Sequence, residues 1–125
     1  MKKWLVAAAV VGGFWWRVRP YCNSNALLAI AHNHQKSYWA SPLDYWVALI
    51  CYQRSNYPGT QKALTQLVTD DPKGPYTARS LLRLSEVDME THDWPSAREA
   101  LDRFLQDFPD DPNRSIAEKR RQTAP

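Results

Sequence analysis

The side chains that could perform catalysis or bind a metal are few in this sequence and poorly spaced for either task. His32 and His34 are two residues apart, so on one helix they point to different sides and cannot both ligate one ion. The carboxylates of the C-terminal half occupy alternate helix positions or helix ends, as a solvated surface would: Glu86, Asp88, Glu90, Asp93, Asp107, Asp110 and Asp111. No Ser/His/Asp order, Gly-rich phosphate loop or His-Glu-x-x-His motif occurs. We therefore expect no enzyme, no metal and no cofactor.

The two cysteines leave two alternatives open. They form no Cys-x-x-Cys pair, which excludes a zinc ribbon, a thioredoxin-type dithiol and covalent haem attachment within this chain. If the domain lies outside the cytoplasm, Cys22 and Cys51 could form a disulfide. Otherwise they are two reduced, buried thiols.

Charge is segregated along the 125 residues. The first 43 residues carry five Lys or Arg and no acid, residues 44–112 have a net charge of −5, and the tail from Asn113 has +3. A nucleic-acid-binding domain concentrates positive charge on its folded surface, whereas the middle of this chain is acidic. We therefore expect no nucleic-acid partner.

Residues 1–22 are typical of an export signal that stays attached as a membrane anchor. Lys2 and Lys3 precede thirteen uninterrupted apolar residues, 4–16. The run ends in bulky aromatic residues and Arg17 rather than in the small residues of a cleavage site, which favours an uncleaved anchor. If the segment is cleaved, the protein is instead exported.

Thirteen helical residues reach only ~20 Å, against ~30 Å of hydrocarbon in a bilayer, so the anchor is a short transmembrane segment. Tryptophans at both ends suit the interfaces, and small residues spaced four apart permit close helix packing. The residues expected to contact membrane or partner helices are Trp4, Ala8, Ala9, Gly12, Gly13, Trp15 and Trp16. We predict a cytoplasmic N-terminus with the rest of the chain outside.

The remainder reads as short helices separated by prolines. A helix from Asn25 to Trp39, within residues 23–40, is expected to pack on Trp46 and Ile50 of the next helix. That next helix, 42–54, has Ser41 as its predicted N-cap, with Asp44 returning a carboxylate to its first turn.

The sequence repeats itself at an offset of 37 residues. Residues 57–75 align with 94–112, and six of the nineteen positions are identical. Each unit predicts a helix, a short turn, a second helix with proline in its first turn, and an exit containing proline.

The units resemble tetratricopeptide repeats of the bacterial envelope type. With Ala78 as the first position, Ala97 falls where the two helices of a unit cross closely, Pro109 falls at the terminal proline, and Asp93 can cap the second helix. The resemblance covers residues 41–121 and concerns scaffold positions, some of which are degenerate. It implies an all-α, short α-solenoid with repeat 1 at 41–75, repeat 2 at 76–112 and a charged capping helix with a basic tail at 113–125.

In this family the first helix of each unit lines the concave surface. Carried over by position, the resemblance implies a protein-binding groove made of Tyr45, Leu49, Tyr52, Gln53, Arg79, Leu82, Glu86, Met89 and Glu90. Core positions are the alternative for Leu49, Leu82 and Met89, whereas the charged members are expected to be exposed.

These observations favour a non-catalytic, membrane-anchored scaffold or accessory subunit of a larger envelope complex, placed at the bacterial inner membrane with its repeats in the periplasm. The expected partners are other protein subunits, including membrane proteins that contact the N-terminal helix. Two alternatives remain: an exported subunit that self-assembles into a filament or ring through its unfinished repeats, and an accessory subunit of a membrane redox or photosynthetic complex.

Overall fold

The computed structural model of the chain describes residues 2–18 and 24–124. These residues form α-helices and loops, with no strand among them. The helices are α1 (Lys2–Val18), α2 (Ser24–Asn33), α3 (Ala40–Gln53), α4 (Tyr57–Asp70), α5 (Thr77–Glu90), α6 (Trp94–Asp107) and α7 (Arg114–Thr123). From α2 onward each helix packs on the next one along the chain. The predicted all-α fold is confirmed.

The helix boundaries repeat at the offset found in the sequence. α5 begins and ends 37 residues after α3, α6 begins and ends 37 residues after α4, and α7 begins 37 residues after α5. The two α-helical hairpins α3–α4 and α5–α6 are therefore equivalent in length and connection.

The turn inside each hairpin accounts for the equal spacing of the helix boundaries. Ser55 and His92 adopt left-handed conformations with φ of 57° and 59°, which reverse the chain directly after a helix. The following residues, Asn56 and Asp93, accept hydrogen bonds from the backbone N–H three residues on, at 3.1 and 3.4 Å. Asp93 is thus an N-cap, as predicted.

Two adjoining clusters of buried side chains hold the helices together. One, around Leu28, Val47, Ala48 and Leu64, joins α2, α3 and α4. The other joins α4 to α7 through Leu67, Val68, Leu81, Ala100, Leu101, Phe104 and Ala117. Thr60 and Ala97, which occupy equivalent positions of α4 and α6, are both completely buried.

The start of α3 differs from the prediction. Its N-cap is Trp39, with no side-chain hydrogen bond, rather than Ser41. The Ser41 hydroxyl instead donates to the carboxylate of Asp71 at 2.8 Å, and Asp44 is buried inside the fold. Ser41 and Asp44, which the local pattern assigned to helix capping, are therefore placed by tertiary packing instead.

The position of α2 also differs. The helix ends at Asn33 rather than near Trp39, and it leaves Trp46 and Ile50 exposed by 64% and 46%. The prediction that this helix packs on those two residues was wrong, because α2 buries Leu28 and Ala31 instead.

Candidate protein-binding face

Four of the sequence-predicted groove residues, Tyr45 and Tyr52 of α3 with Arg79 and Glu90 of α5, contact each other between these two helices. Tyr45 of α3 contacts the ring of Tyr76, which directly precedes α5, with ring centroids 5.6 Å apart. The guanidinium of Arg79 lies over both rings, 5.9 Å from the centroid of Tyr45 and 5.0 Å from that of Tyr76. Such stacking fixes a long cationic side chain in one orientation.

A second arginine–tyrosine contact lies one helical turn further along α5. The guanidinium of Arg83 lies 5.5 Å from the ring centroid of Tyr52. The Tyr52 hydroxyl donates to the Glu90 carboxylate at 2.8 Å, and this bond is the main reason that the pKa of Tyr52 is raised. The same carboxylate raises the pKa of Tyr57, whose ring lies 5.9 Å from that of Tyr52.

We call Tyr45, Tyr52, Tyr76, Arg79 and Arg83 the Tyr/Arg face. The four described ion pairs use other residues, so within 2–18 and 24–124 no carboxylate lies within ion-pair distance of either arginine of this face. Its cationic donors are therefore held in place by aromatic rings and stay open to an outside group.

The other predicted groove residues belong to the same two helices, α3 and α5. Gln53 and Glu90 are exposed, whereas Leu49, Leu82, Glu86 and Met89 are half-buried. The far side is bounded by α7, where Arg120 donates to the carbonyl of Leu82 at 3.0 Å and to the hydroxyl of Ser85 at 3.1 Å.

Tyr57, Tyr76, Arg83 and Arg120 were missed by the sequence reasoning. Tyr76 lies before its helix, Tyr57 opens α4, and Arg120 belongs to α7, so a rule that reads only the first helix of each unit omits them. Of the four, only Arg83 could have been predicted from the sequence, because it follows Arg79 by one helical turn and so lies on the same side of α5.

A polar cluster that the sequence did not indicate lies between α2, α3 and α4. Asp44 is only 2% exposed. It accepts a 2.9 Å hydrogen bond from Gln66, which also donates to the carbonyl of Leu28 at 2.6 Å. Nearby, His32 and Asp70 pair at 2.8 Å. Burial raises the pKa of Asp44 from 3.8 to about 7, against a lowering by the Gln66 bond.

Asp88, between α4 and α6, is a second buried carboxylate. It accepts a 2.7 Å hydrogen bond from Gln61, and burial raises its pKa. It lines an open cleft of about 420 Å³ whose other polar residues include Asp93, Glu99 and Arg103.

The described residues contain no group of three His, Cys, Asp or Glu side chains able to hold a metal ion. His32 pairs with Asp70, whereas His34 bonds to the carbonyl of Ile30, so the two imidazoles have separate partners. Cys51 is a buried free thiol. Cys22 lies outside the described residues, and so does the predicted disulfide.

The predicted anchor residues belong to α1. Described side chains throughout this helix are exposed, with Trp4 at 82% and Trp16 at 78%, as are Ala8, Ala9, Gly12 and Gly13. Apart from the nearby residues of the helix itself, no heavy atom lies within 4 Å of where a Cβ would be placed on either glycine. The side chain of Trp15 lies outside the described part. None of the helices in residues 2–18 and 24–124 is both long and apolar enough to cross a bilayer.

The described part of the chain is thus an all-α protein in which helix boundaries recur every 37 residues. Comparison with protein-family models, curated proteins and solved structures gave no match to this chain.

Proposed function

We propose that this chain is a non-catalytic scaffold or accessory subunit, built from two tetratricopeptide-type units and held at a bacterial membrane by α1, with its repeats in the periplasm. The 37-residue recurrence of the helix boundaries supports the repeat architecture. The resemblance of residues 41–121 to the envelope branch of that family supports the location. Protein binding is the activity that such an architecture performs.

The Tyr/Arg face is the observation that carries this proposal. Tyrosine and arginine are enriched among the residues that dominate protein interfaces. Here Arg79 and Arg83 are already ordered by Tyr45, Tyr52 and Tyr76. A partner would therefore meet a preorganised surface.

The anchoring role of α1 rests on its exposed apolar side chains. Trp4, Val10, Val11, Phe14 and Trp16 are each at least 65% exposed, which is costly in water and favourable against lipid or apolar helices. Lys2 and Lys3 at its start suit a cytoplasmic N-terminus.

The test is to purify the full-length chain with its co-purifying membrane proteins, identify them, and measure the affinity of the isolated pair. Tyr45→Ala and Arg79→Ala should each weaken binding by about tenfold or more. Tyr38→Ala is the matched control, because Tyr38 is 93% exposed on the loop before α3 and outside this face. Unchanged affinity in both face variants would contradict the proposal.

A further inference from the structure

An apolar position that is buried in the second unit is exposed at the N-terminal end of the repeats. Ile50 of α3 is 46% exposed, whereas Val87, its counterpart 37 residues later in α5, is 0% exposed. Trp46, one helical turn before Ile50, is 64% exposed. We call Trp46 and Ile50 the N-terminal end face.

The second unit shows which element lies next to this position. Val87 lies on the surface of α5 that also carries Arg83 and Glu90, and both contact Tyr52 of α3. Val87 is therefore on the side of α5 that faces the first helix of the preceding unit. By the same geometry, Ile50 would be covered by a helix lying 37 residues before α3.

α1 occupies that place in the sequence. It spans Lys2–Val18 and so contains residues 3–16, one repeat length before Ala40–Gln53. Likewise, α2 ends at Asn33, one repeat length before Asp70, the last residue of α4. Five α3 positions are buried: Ala40, Asp44, Val47, Ala48 and Cys51. Their counterparts in α1 are Lys3 in its first turn and the apolar Ala7, Val10, Val11 and Phe14.

We infer that α1 docks on the N-terminal end face of its own chain, as the first helix of an additional unit that α2 completes. The apolar side chains of α1 and of the end face are both exposed when apart, so contact removes both from water. Alanine and glycine at 8, 9, 12 and 13 allow the close approach that solenoid helices make. Docking goes beyond the proposed function because it describes α1 away from a bilayer: Val10 and Phe14 cannot contact lipid and the end face at once, so the anchored and docked states of α1 alternate.

The experiment is cysteine cross-linking of the full-length chain at low concentration in lipid-free buffer, in a Cys22→Ser, Cys51→Ala background. In the later unit Tyr45 lies beside Arg79. Shifting both by one repeat length pairs Ala8 with Pro42, so Ala8→Cys with Pro42→Cys is the test pair for a short bis-maleimide. Ala9→Cys with Pro42→Cys is the matched control, since Ala9 corresponds to the exposed Trp46.

Docking predicts a monomer-sized product that forms on the order of tenfold faster in the test pair than in the control. Ile50→Asp, at a position exposed when α1 is undocked, should abolish that difference while helical content is kept. Equal rates in both pairs, or a rate unchanged by Ile50→Asp, would overturn the inference. A dimer-sized product would also overturn it, because the face would then be covered by a second copy. None of these cross-linking results bears on partner binding at the Tyr/Arg face, which is measured separately.

Discussion

Asp44 is an ionisable side chain at a position that is buried in the core. The equivalent position in the second unit is Leu81, a core leucine, and Asp44 is as deeply buried as that residue. Gln66 donates a side-chain hydrogen bond to the carboxyl group of Asp44. The negative charge of Asp70 nearby raises the pKa of Asp44 further. The buried group is therefore held most easily in its protonated form.

This environment predicts a pH-dependent stability. Because the pKa of Asp44 is about 7 in the folded chain and 3.8 in the reference state, protonation favours the fold. The stabilising contribution is complete below about pH 4 and is lost as the pH rises through about 7. Asp44→Asn keeps an acceptor for Gln66 without a charge, so at pH 8 it should raise the free energy of unfolding by on the order of 2 kcal/mol.

Urea unfolding between pH 4 and pH 8 checks this expectation. The Asp44→Asn advantage should shrink toward pH 4. Asp110→Asn, at an exposed carboxylate, is the control. Parallel pH curves for the wild type and Asp44→Asn would show that the raised pKa is wrong.

At the scale of elements, the two hairpin turns are the best-specified parts of the chain. Each combines a left-handed residue, a capping side chain and a proline in the first turn of the next helix. The cap satisfies a backbone N–H that the helix itself cannot, and proline loses no hydrogen bond there. Of these features, the two prolines and the Asp93 cap were predicted from the sequence.

Removing the cap of α4 should therefore have a local and moderate cost. Asn56→Ala deletes the acceptor for the Gly59 N–H and should lower the free energy of unfolding by about 1 kcal/mol. Asn56→Asp retains an oxygen at the same place and should lie within a few tenths of a kcal/mol of the wild type. Thermal unfolding of both variants decides the matter; equal losses would mean that the turn, not the cap, sets the stability of the hairpin.

At the scale of the whole molecule, the second hairpin cannot be separated from the first. Phe104 is completely buried in the cluster that includes residues of α4, α5, α6 and α7. Arg103 adds a 2.8 Å hydrogen bond from α6 to the carbonyl of Val68 in α4. The units therefore share one core rather than standing as independent modules.

A cavity in that core should weaken the entire array. Phe104→Ala is expected to lower the free energy of unfolding by about 3–5 kcal/mol, whereas Phe104→Leu, which retains most of the volume, should lose about 1 kcal/mol. Denaturant unfolding followed by circular dichroism and by tryptophan fluorescence should give coincident transitions. Separate transitions for the two signals would show that the hairpins unfold independently.

The candidate face was foreseen only in part. Tyr45, Tyr52, Arg79 and Glu90 follow from their places in the repeat, whereas Tyr76 and Arg120 reach the same region from a loop and a different helix. Position within a repeat is a one-dimensional property, and it says nothing about which neighbouring elements add side chains to a surface.

The sequence by itself determined the all-α class, the 37-residue recurrence and the cap at Asp93, because helix periodicity, proline placement and capping act over a few residues. Only the tertiary structure decided that Ser41 bonds to Asp71 instead of capping α3, that Asp44 is buried beside Gln66, and that α2 leaves Ile50 uncovered. Those outcomes depend on groups 22 to 30 residues apart in the chain, or on how two helices pack, and local patterns carry no information about either.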